Sequence, residues 1–499
     1  MPVSQDLPRP ALFGAADRRH SPPGRRAIAF SELVWLAALL AALLLPSSVT
    51  AAPGDLLTSF GVQGIAYDTF GQGNTIKDAI LHPILGIVLG AYVDQGAGLA
   101  QIRLARMDPD TGAVLGSETL SVSVDAQSEL HIKDDGAGGL IVGATAIVDA
   151  TNTDPLIFRV NSDLTINPSF GLRRISIDLA PAGFDVLEDI EQLSDGRIVA
   201  LVSVPTTFDP EAGLVFLNAN GSPDTSIANG NFPDGVQIVP FQVTGEIYPV
   251  ALAVDSRDRL WVAAARFGPS IEKIAVARLL PNAAADTSYA GLGSALVDYR
   301  ECVPCPSDGA DPFDIEILGD RGFIAVEATD SVTFSRVIAV ARLTEFGGVD
   351  GQFGGWRRVP FPSPASRSVG GTPVEAVRPD VEVDPRRRGV VVAAEVIELG
   401  GSSFIGVGRL RAADGELDSQ FAGGGTVLHE LAPGVGPGLV NLMVDGSLAA
   451  ADFESTAWVA TSDSSNLDAA VMAIEGWPGP FFADGFESGD LSGWSGVFP

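Results

Sequence analysis

Residues 274–293 read IAVARLLPNAAADTSYAGLG, and residues 338–355 read IAVARLTEFGGVDGQFGG. Both carry an apolar run, an Arg, a turn, an acidic residue and an aromatic, in that order. The acidic-to-aromatic element recurs along the chain as LTSFG (57–61), NPSFG (167–171), DTSIA (224–228), DTSYA (286–290), DGQFG (350–354) and DSQFA (418–422). GSETL (116–120) reads as a worn copy between the first two, with Thr119 where the others have an aromatic or Ile. A period of about 60 residues marks a repeat architecture, in which each unit buries its faces against its neighbours.

Every unit has the same internal order. An alternating strand precedes the acidic turn, as in QIRLARMD (101–108), PLIFRVN (155–161) and FIGVGRLR (404–411). Such alternation suits a pleated strand. Earlier in each unit a turn leads into a second apolar run, as in SDGRIVALV (194–202) and PRRRGVVVAAEV (385–396). Asp-Gly and Gly signals of this kind supply the positive φ that hairpin turns need. A further strand comes before it, such as PVALAVDS (249–256) or FDIEILGD (313–320), and another follows the aromatic, such as GTVLHEL (425–431). Four short strands per unit predict an all-β, seven-bladed β-propeller with about four antiparallel strands per blade. The middle strands are apolar on both faces, as a sheet between two other sheets must be. An array of β-sandwich modules is the weaker alternative, since a sandwich typically needs about 100 residues. The opening stretches read as the last strand of one blade, a turn, and the entry to the next.

The pattern of apolar-Ala-Arg-Leu followed by Asp-x-Ser-Phe-Gly resembles the delta-60 repeat of bacterial exported and surface proteins. The matching stretches are IRLARMDPDTG (102–112), 274–291, 338–355 and IGVGRLRAADGELDSQFAGGG (405–425). The resemblance spans roughly residues 54–476 and is weakest in the second unit. It implies a propeller-like fold and export, and no reaction or ligand.

Residues 1–52 read as an N-terminal region with a secretory signal. Arg18, Arg19, Arg25 and Arg26 precede the apolar stretch LVWLAALLAALLLP (33–46) and then SSVTAAPG. The apolar run is short for a membrane span, and small residues follow it, so cleavage is expected after Ala51 or Ala52. The Arg25–Arg26 pair lacks the flanking residues of a twin-arginine signal. Residues 53–476 form the repeat domain, and 477–499 a flexible tail. The tail carries Asp484, Gly485, Phe486, Glu487, Ser488, Gly489 and Trp494, and resembles the DGFESG-type ending of secreted proteobacterial proteins. The expected location is therefore secreted or periplasmic, with cell-surface association as a variant.

The net charge is −31 over 499 residues, and the first 52 carry five Arg against three acids, so the remainder stands near −33. That excess opposes nucleic acid and anionic lipid as partners. A protein or glycan partner and a monomeric state are expected. No cofactor is expected; Ca²⁺ is the one weak candidate, through SDGADPFD (307–314) or DPDTG (108–112), neither of which completes a calcium loop.

The repeated Arg106, Arg159, Arg278, Arg342 and Arg409 are candidates for structural pairing with Asp286, Asp350 or Asp418, because a catalytic group is needed once. Leu217 and Ala473 stand in the equivalent place elsewhere. Phe60, Phe170, Tyr289, Phe353 and Phe421 suit packing between blades better than a ligand-stacking ladder. Cys302 and Cys305, in ECVPCP, are a disulfide candidate; no second pair or nearby His makes a zinc site. His82, His131 and His429 are scattered over different units, which argues against His-based chemistry. No nucleophile elbow with a His partner, phosphate loop or dinucleotide fingerprint is present. No catalytic, cofactor-binding or metal residue is assigned. The expected role is a non-catalytic binding or scaffold module. The rival is a metal-assisted hydrolase or lactonase-like enzyme in the propeller channel, which would need a polar cluster at matching positions in several blades. No such cluster is read from the repeats.

Overall fold

The computed structural model describes residues 52–68, 74–149, 151–175, 183–204, 210–227, 233–243, 245–267, 273–297, 310–329, 335–362, 374–384, 389–398, 403–431, 437–444, 454–463 and 469–478. The two cysteines lie outside them, as do the C-terminal tail from residue 479 on and most of the N-terminal region. Seven antiparallel sheets of four strands each make up the fold, a seven-bladed β-propeller. Blade four shows the plan: an inner strand Glu246–Val254, a second strand Leu260–Phe267, a third Lys273–Leu279 and an outer strand Ser294–Val297. The other inner strands, in blade order, are Asn74–His82, Leu130–Asp134, Val186–Gln192, Ala310–Leu318, Val374–Asp384 and Pro437–Val444.

The ring is closed by its own ends. The outer strand of blade seven is Ile65–Asp68, from the start of the repeat domain, and it pairs with the last strand, Ala469–Pro478, through Ile65↔Met472 and Ala66↔Val471. Just upstream, Gly54 N–H donates to Glu475 O at 2.8 Å and Leu57 N–H to Ala473 O at 2.9 Å. A sheet made from both ends of the chain locks the ring shut and leaves only the short outer edge that every propeller blade has.

The opening motif sits one strand earlier than its sequence suggests. IAVARL belongs to the third strand of its blade, and the acidic turn leads to the outer strand of the same blade. Outside blade one, the outer strands are only three or four residues long, too short to show a period of their own. GSETL is not a turn at all; it lies inside the outer strand Val114–Asp125. The third-strand place held by Arg278 is held in blade three by Phe216, one residue before Leu217: Asp224 N–H donates to Phe216 O as Asp286 N–H donates to Arg278 O.

That turn explains the motif. In blade four, Asp286 Oδ1 accepts from the N–H and the hydroxyl of Ser288 at 3.0 and 2.6 Å, while Oδ2 accepts from Arg278 Nε at 2.7 Å. Asp, Ser and Arg thereby satisfy one another where the chain reverses. Gly293 closes the turn at φ 84°, and a Cβ there would come within 2.7 Å of Ala285 Cβ. The aromatic then drops between its own blade and the next. Tyr289 packs edge-on to Trp261, with centroids 5.2 Å apart, and joins a core shared with Ile315 and Ile324 of blade five. Phe60, Phe170, Phe353 and Phe421 are buried in the same way in the cores of other blade pairs.

The arginines differ in their partners. Arg342 reaches Asp350 at 2.9 Å, and Arg409 lies 3.4 Å from Asp418 and 3.3 Å from Asp384. Arg159 reaches Asp135 at 3.4 Å, whereas Arg106 donates to the carbonyls of Leu85 and Ser162. In blade three, where Phe216 replaces the Arg, Arg197 at the start of the second strand reaches Asp224 at 3.0 Å.

Candidate functional site at the channel mouth

Six of the seven inner strands break register against their second strand near their middle, as between Ile76 and Asp78, Leu187 and Asp189, Pro249 and Ala251, Pro312 and Asp314, and Val377 and Asp380. Such a bulge turns the next side chain. The residues so placed are Asp78, Asp189, Ala251, Asp314 and Asp380. His131 and Asn441 hold the corresponding places in blades two and seven. They border a cavity of about 570 Å³.

Four of these positions carry Asp, and each Asp ties its blade to the next. Ile132 N–H donates to Asp78 Oδ2, Leu252 N–H to Asp189 Oδ2 at 2.8 Å, Val381 N–H to Asp314 Oδ2 at 3.1 Å, and Leu442 N–H to Asp380 Oδ2 at 2.6 Å. Where the preceding blade lacks the Asp, the same N–H turns to its own strand: Ala79 to Asp78, Ile190 to Asp189 and Ile315 to Asp314, all at 2.7 Å. Two of those junctions use a hydroxyl instead, with Leu187 N–H on Thr145 Oγ1 and Ile76 N–H on Ser462 Oγ.

Two residues further along each strand, and on the same face, stand Lys133, Glu191, Glu316 and Glu382. Lys133 Nζ pairs with Glu191 Oε1 at 2.7 Å. Glu188 adds a further carboxyl to the cavity wall, and blade four contributes only Val250 and Ala251. The cavity lining therefore holds nine carboxyls, those of Asp78, Glu129, Glu188, Asp189, Asp314, Glu316, Glu327, Asp380 and Glu382, against four cations, Lys77, Lys133, Arg336 and Arg378.

Electrostatics follow from burial. Desolvation pushes Glu316 and Glu188 each up to about 8, with Asp314 adding to the rise at Glu316 and Glu129 to that at Glu188. Asp78 rises to about 7 for the same reason, against the pull of Lys133 and two N–H groups. Burial also raises Asp189, Glu191, Asp314, Asp380 and Glu382. Burial works against the charge of Lys133, but Glu191 and Asp189 more than offset it and hold the ammonium well above its ordinary value. Its side chain is 32% accessible, and the residue lines the cavity. His131 is pushed down to about 4 by burial, so it is neutral near pH 7. Asp380 and Asp314 share a side-chain hydrogen bond, as two carboxyls can when one keeps its proton.

Two buried nitrogens on residues that line the cavity make no hydrogen bond among the described residues. Asn441 Nδ2 is one, on a residue only 8% exposed; His131 Nε2 is the other.

This polar cluster overturns the reading that no such group lies at matching positions in several blades. The signal was present as Asp-apolar-Glu at 189–191, 314–316 and 380–382. It was hidden because those acids sit in strands that otherwise read as core. The repeated arginines and aromatics lie instead at the third-strand turns and between blades. Asp314, in the stretch weighed for Ca²⁺, is a channel residue. DPDTG is a closed turn in which Asp108 Oδ1 accepts from Thr111 N–H and Oγ1, both at 2.8 Å. Among the described residues, no group of three or more His, Cys, Asp or Glu is placed to hold a metal ion. No helix among them is long and apolar enough to cross a membrane. His82 is buried, with Nδ1 accepting from Ile84 and Leu85 N–H, and His429 Nε2 meets Gly54 O at 3.0 Å.

A family model described as "Domain of unknown function (DUF5122) beta-propeller" matches residues 138–170, which run from the second strand of blade two to its buried Phe170. No curated protein matches the chain. Solved structures resemble it at the level of fold. A protein of unknown function from Dyadobacter fermentans is 8% identical with a TM-score of 0.44, over 83% of this chain and 98% of that one. The polysaccharide lyase Uly1 is 9% identical with a TM-score of 0.45, over 83% and 93%. Drosophila Semaphorin 2a is 9% identical with a TM-score of 0.43, over 85% and 76%.

Proposed function

We propose that the protein is a β-propeller binding module whose acid-lined channel mouth receives a small ligand bearing a cationic group. The observation that carries this reading is the convergence of Glu188, Glu316, Glu382 and the Asp ring on one cavity, where acids outnumber the cations Lys77, Lys133, Arg336 and Arg378. Burying so many carboxyls is unfavourable unless protons or a cation compensate them. A ligand ammonium does this best, because it also recovers the charge–charge attraction that a protonated acid forgoes. The four Asp residues are largely engaged by backbone N–H groups, so Glu316 and Glu382 are the principal ligand contacts.

Binding is proposed to take place outside the cytoplasm, which rests on the basic, apolar and small-residue order of residues 18–52. Fractionation of cells expressing the full chain, with mass measurement of the released protein, tests this; a product retaining residue 1 in the cytoplasm contradicts it. The binding itself is tested by calorimetric titration with cyclohexylamine, spermidine and CaCl₂. Amine binding that weakens at least about tenfold in Glu316→Gln/Glu382→Gln supports the reading. Absence of any amine binding to the folded protein refutes it.

A further inference from the structure

Around the channel the wall is not uniformly acidic. Blades one, three, five and six present carboxyls, with Lys77, Arg336 and Arg378 at the same wall; blade two presents His131 with Glu129 and Lys133, blade four Val250 and Ala251, and blade seven Asn441. Asn441 stands where four other blades have Asp, so it is the place on the ring where an amide replaces an acceptor. Its neighbours are fixed: Leu442 N–H is held by Asp380 of blade six, and blade one, with Asp78, lies on the other side. A group held at Glu382 and Asp380 is thus next to Asn441.

Asn441 is more than nine-tenths buried, lines the cavity, and its Nδ2 makes no hydrogen bond among the described residues. A buried amide donor left unpaired is unfavourable by roughly 1–3 kcal/mol. Such a group is tolerated where a ligand supplies the acceptor. Neutral His131, two blades from Asn441, also has an unpaired nitrogen, Nε2. Carboxyls call for a cation; Asn441 calls for an oxygen acceptor close to it.

We infer that the ligand is an amino alcohol, of the class that includes amino sugars: its ammonium sits among Glu316, Glu382 and Asp380, and a neighbouring hydroxyl oxygen accepts from Asn441 Nδ2. The hydroxyl proton is donated in turn to a channel carboxyl, and the apolar face of the ligand lies toward Val250 and Ala251. This deepens the proposed function and depends on it.

Three matched compounds separate the two: trans-2-aminocyclohexanol (ammonium and hydroxyl), cyclohexylamine (ammonium only) and cyclohexanol (hydroxyl only). With the full-length protein near pH 7, the amino alcohol is expected to bind about five- to tenfold tighter than cyclohexylamine, one hydrogen bond's worth. Cyclohexanol should not bind measurably. In Asn441→Leu that ratio should fall to about one. Asn441→Asp, which restores the residue other blades carry, should abolish the ratio as well, and guards against loss of fold in the Leu variant. Equal affinity of the two amines for the native protein overturns this inference and leaves the proposed function standing. Failure of both amines to bind overturns the proposed function itself.

Discussion

Asp189, on the inner strand of blade three, accepts the backbone N–H of Leu252, on the inner strand of blade four, at 2.8 Å, and its other oxygen accepts Ile190 N–H on its own strand at 2.7 Å. One carboxylate thus satisfies two backbone donors that bulged strands cannot pair with each other. The same bridge recurs from Asp78, Asp314 and Asp380 to the blades that follow them. The ring of acids serves the fold first, and what it leaves over is available to a ligand.

Removing the bridge should therefore be costly in a way that depends on the substitute. Asp189→Ala orphans Leu252 N–H in a buried strand and should destabilise by about 2 kcal/mol in urea unfolding. Asp189→Asn keeps an acceptor and removes a buried charge, so its loss should be smaller and should shrink further as pH rises. Equal losses for both variants at every pH would show that hydrogen-bond acceptance at Asp189 is irrelevant.

Stability should fall as pH rises through the neutral range. The carboxyls of Glu316 and Glu188 have folded pKa values of about 8, above the unfolded value, so the folded state holds protons that the unfolded state has lost. Their contribution is complete below the unfolded pKa, near 4.5, and declines by about 1.4 kcal/mol per pH unit and per group until pH reaches the folded value. Channel water and coupling among the acids reduce the observed slope. His131 acts in the opposite direction on the acid side: its folded pKa of about 4 makes stability fall as pH drops below about 6.5. Thermal midpoints from about pH 5 to 9 should descend, and Glu316→Gln should descend less steeply. A native protein whose midpoint climbs over that range contradicts the burial of these acids.

The arginines at the third-strand turns should not respond alike. Arg278 is 1% exposed, bonded to Asp286, and lies 5.1 and 4.9 Å from the ring centroids of Trp261 and Tyr289. Lys cannot reproduce the planar fork or the stacking, so Arg278→Lys should lower stability by roughly 2 kcal/mol. Arg106, bonded to two carbonyls rather than a carboxylate, should tolerate Lys to within about 1 kcal/mol. Identical effects would argue that the turn pairing contributes nothing.

Ring closure predicts long-range cooperativity. Ile65 is buried against Met472 and Val459, so Ile65→Asp introduces an unpaired charge where the chain ends meet. The loss should be about 3 kcal/mol or more. It should also open blade one as well as blade seven to amide hydrogen exchange. Exchange confined to Ile65–Asp68 would mean that closure is not cooperative.

The fold was legible because its signal is repetition. Asp286, Ser288, Tyr289 and Arg278 recur in kind at a fixed spacing, and their turn chemistry is local. The assignment of IAVARL to the last rather than the third strand failed on the brevity of Ser294–Val297. The channel was harder to see. Asp189 and Glu191 alternate with apolar residues as any half-exposed strand does, and only closure of the ring makes that exposed face an enclosed one. Asn441 was invisible for the same reason: its meaning lies in the Asp residues that stand in its place on other blades.

A channel mouth that binds an ammonium must exchange protons on its acids for the cation. Calorimetric titration with cyclohexylamine near pH 7, in buffers of different ionisation enthalpy, counts the protons released on binding. Glu316 and Glu188 carry protons at that pH and Asp78 is about half protonated, and an ammonium beside them lowers their pKa values. The native protein should bind with net release of roughly one proton, diminished in Glu316→Gln/Glu382→Gln. Binding without proton release that is unchanged in that variant, or no binding at all, would contradict it.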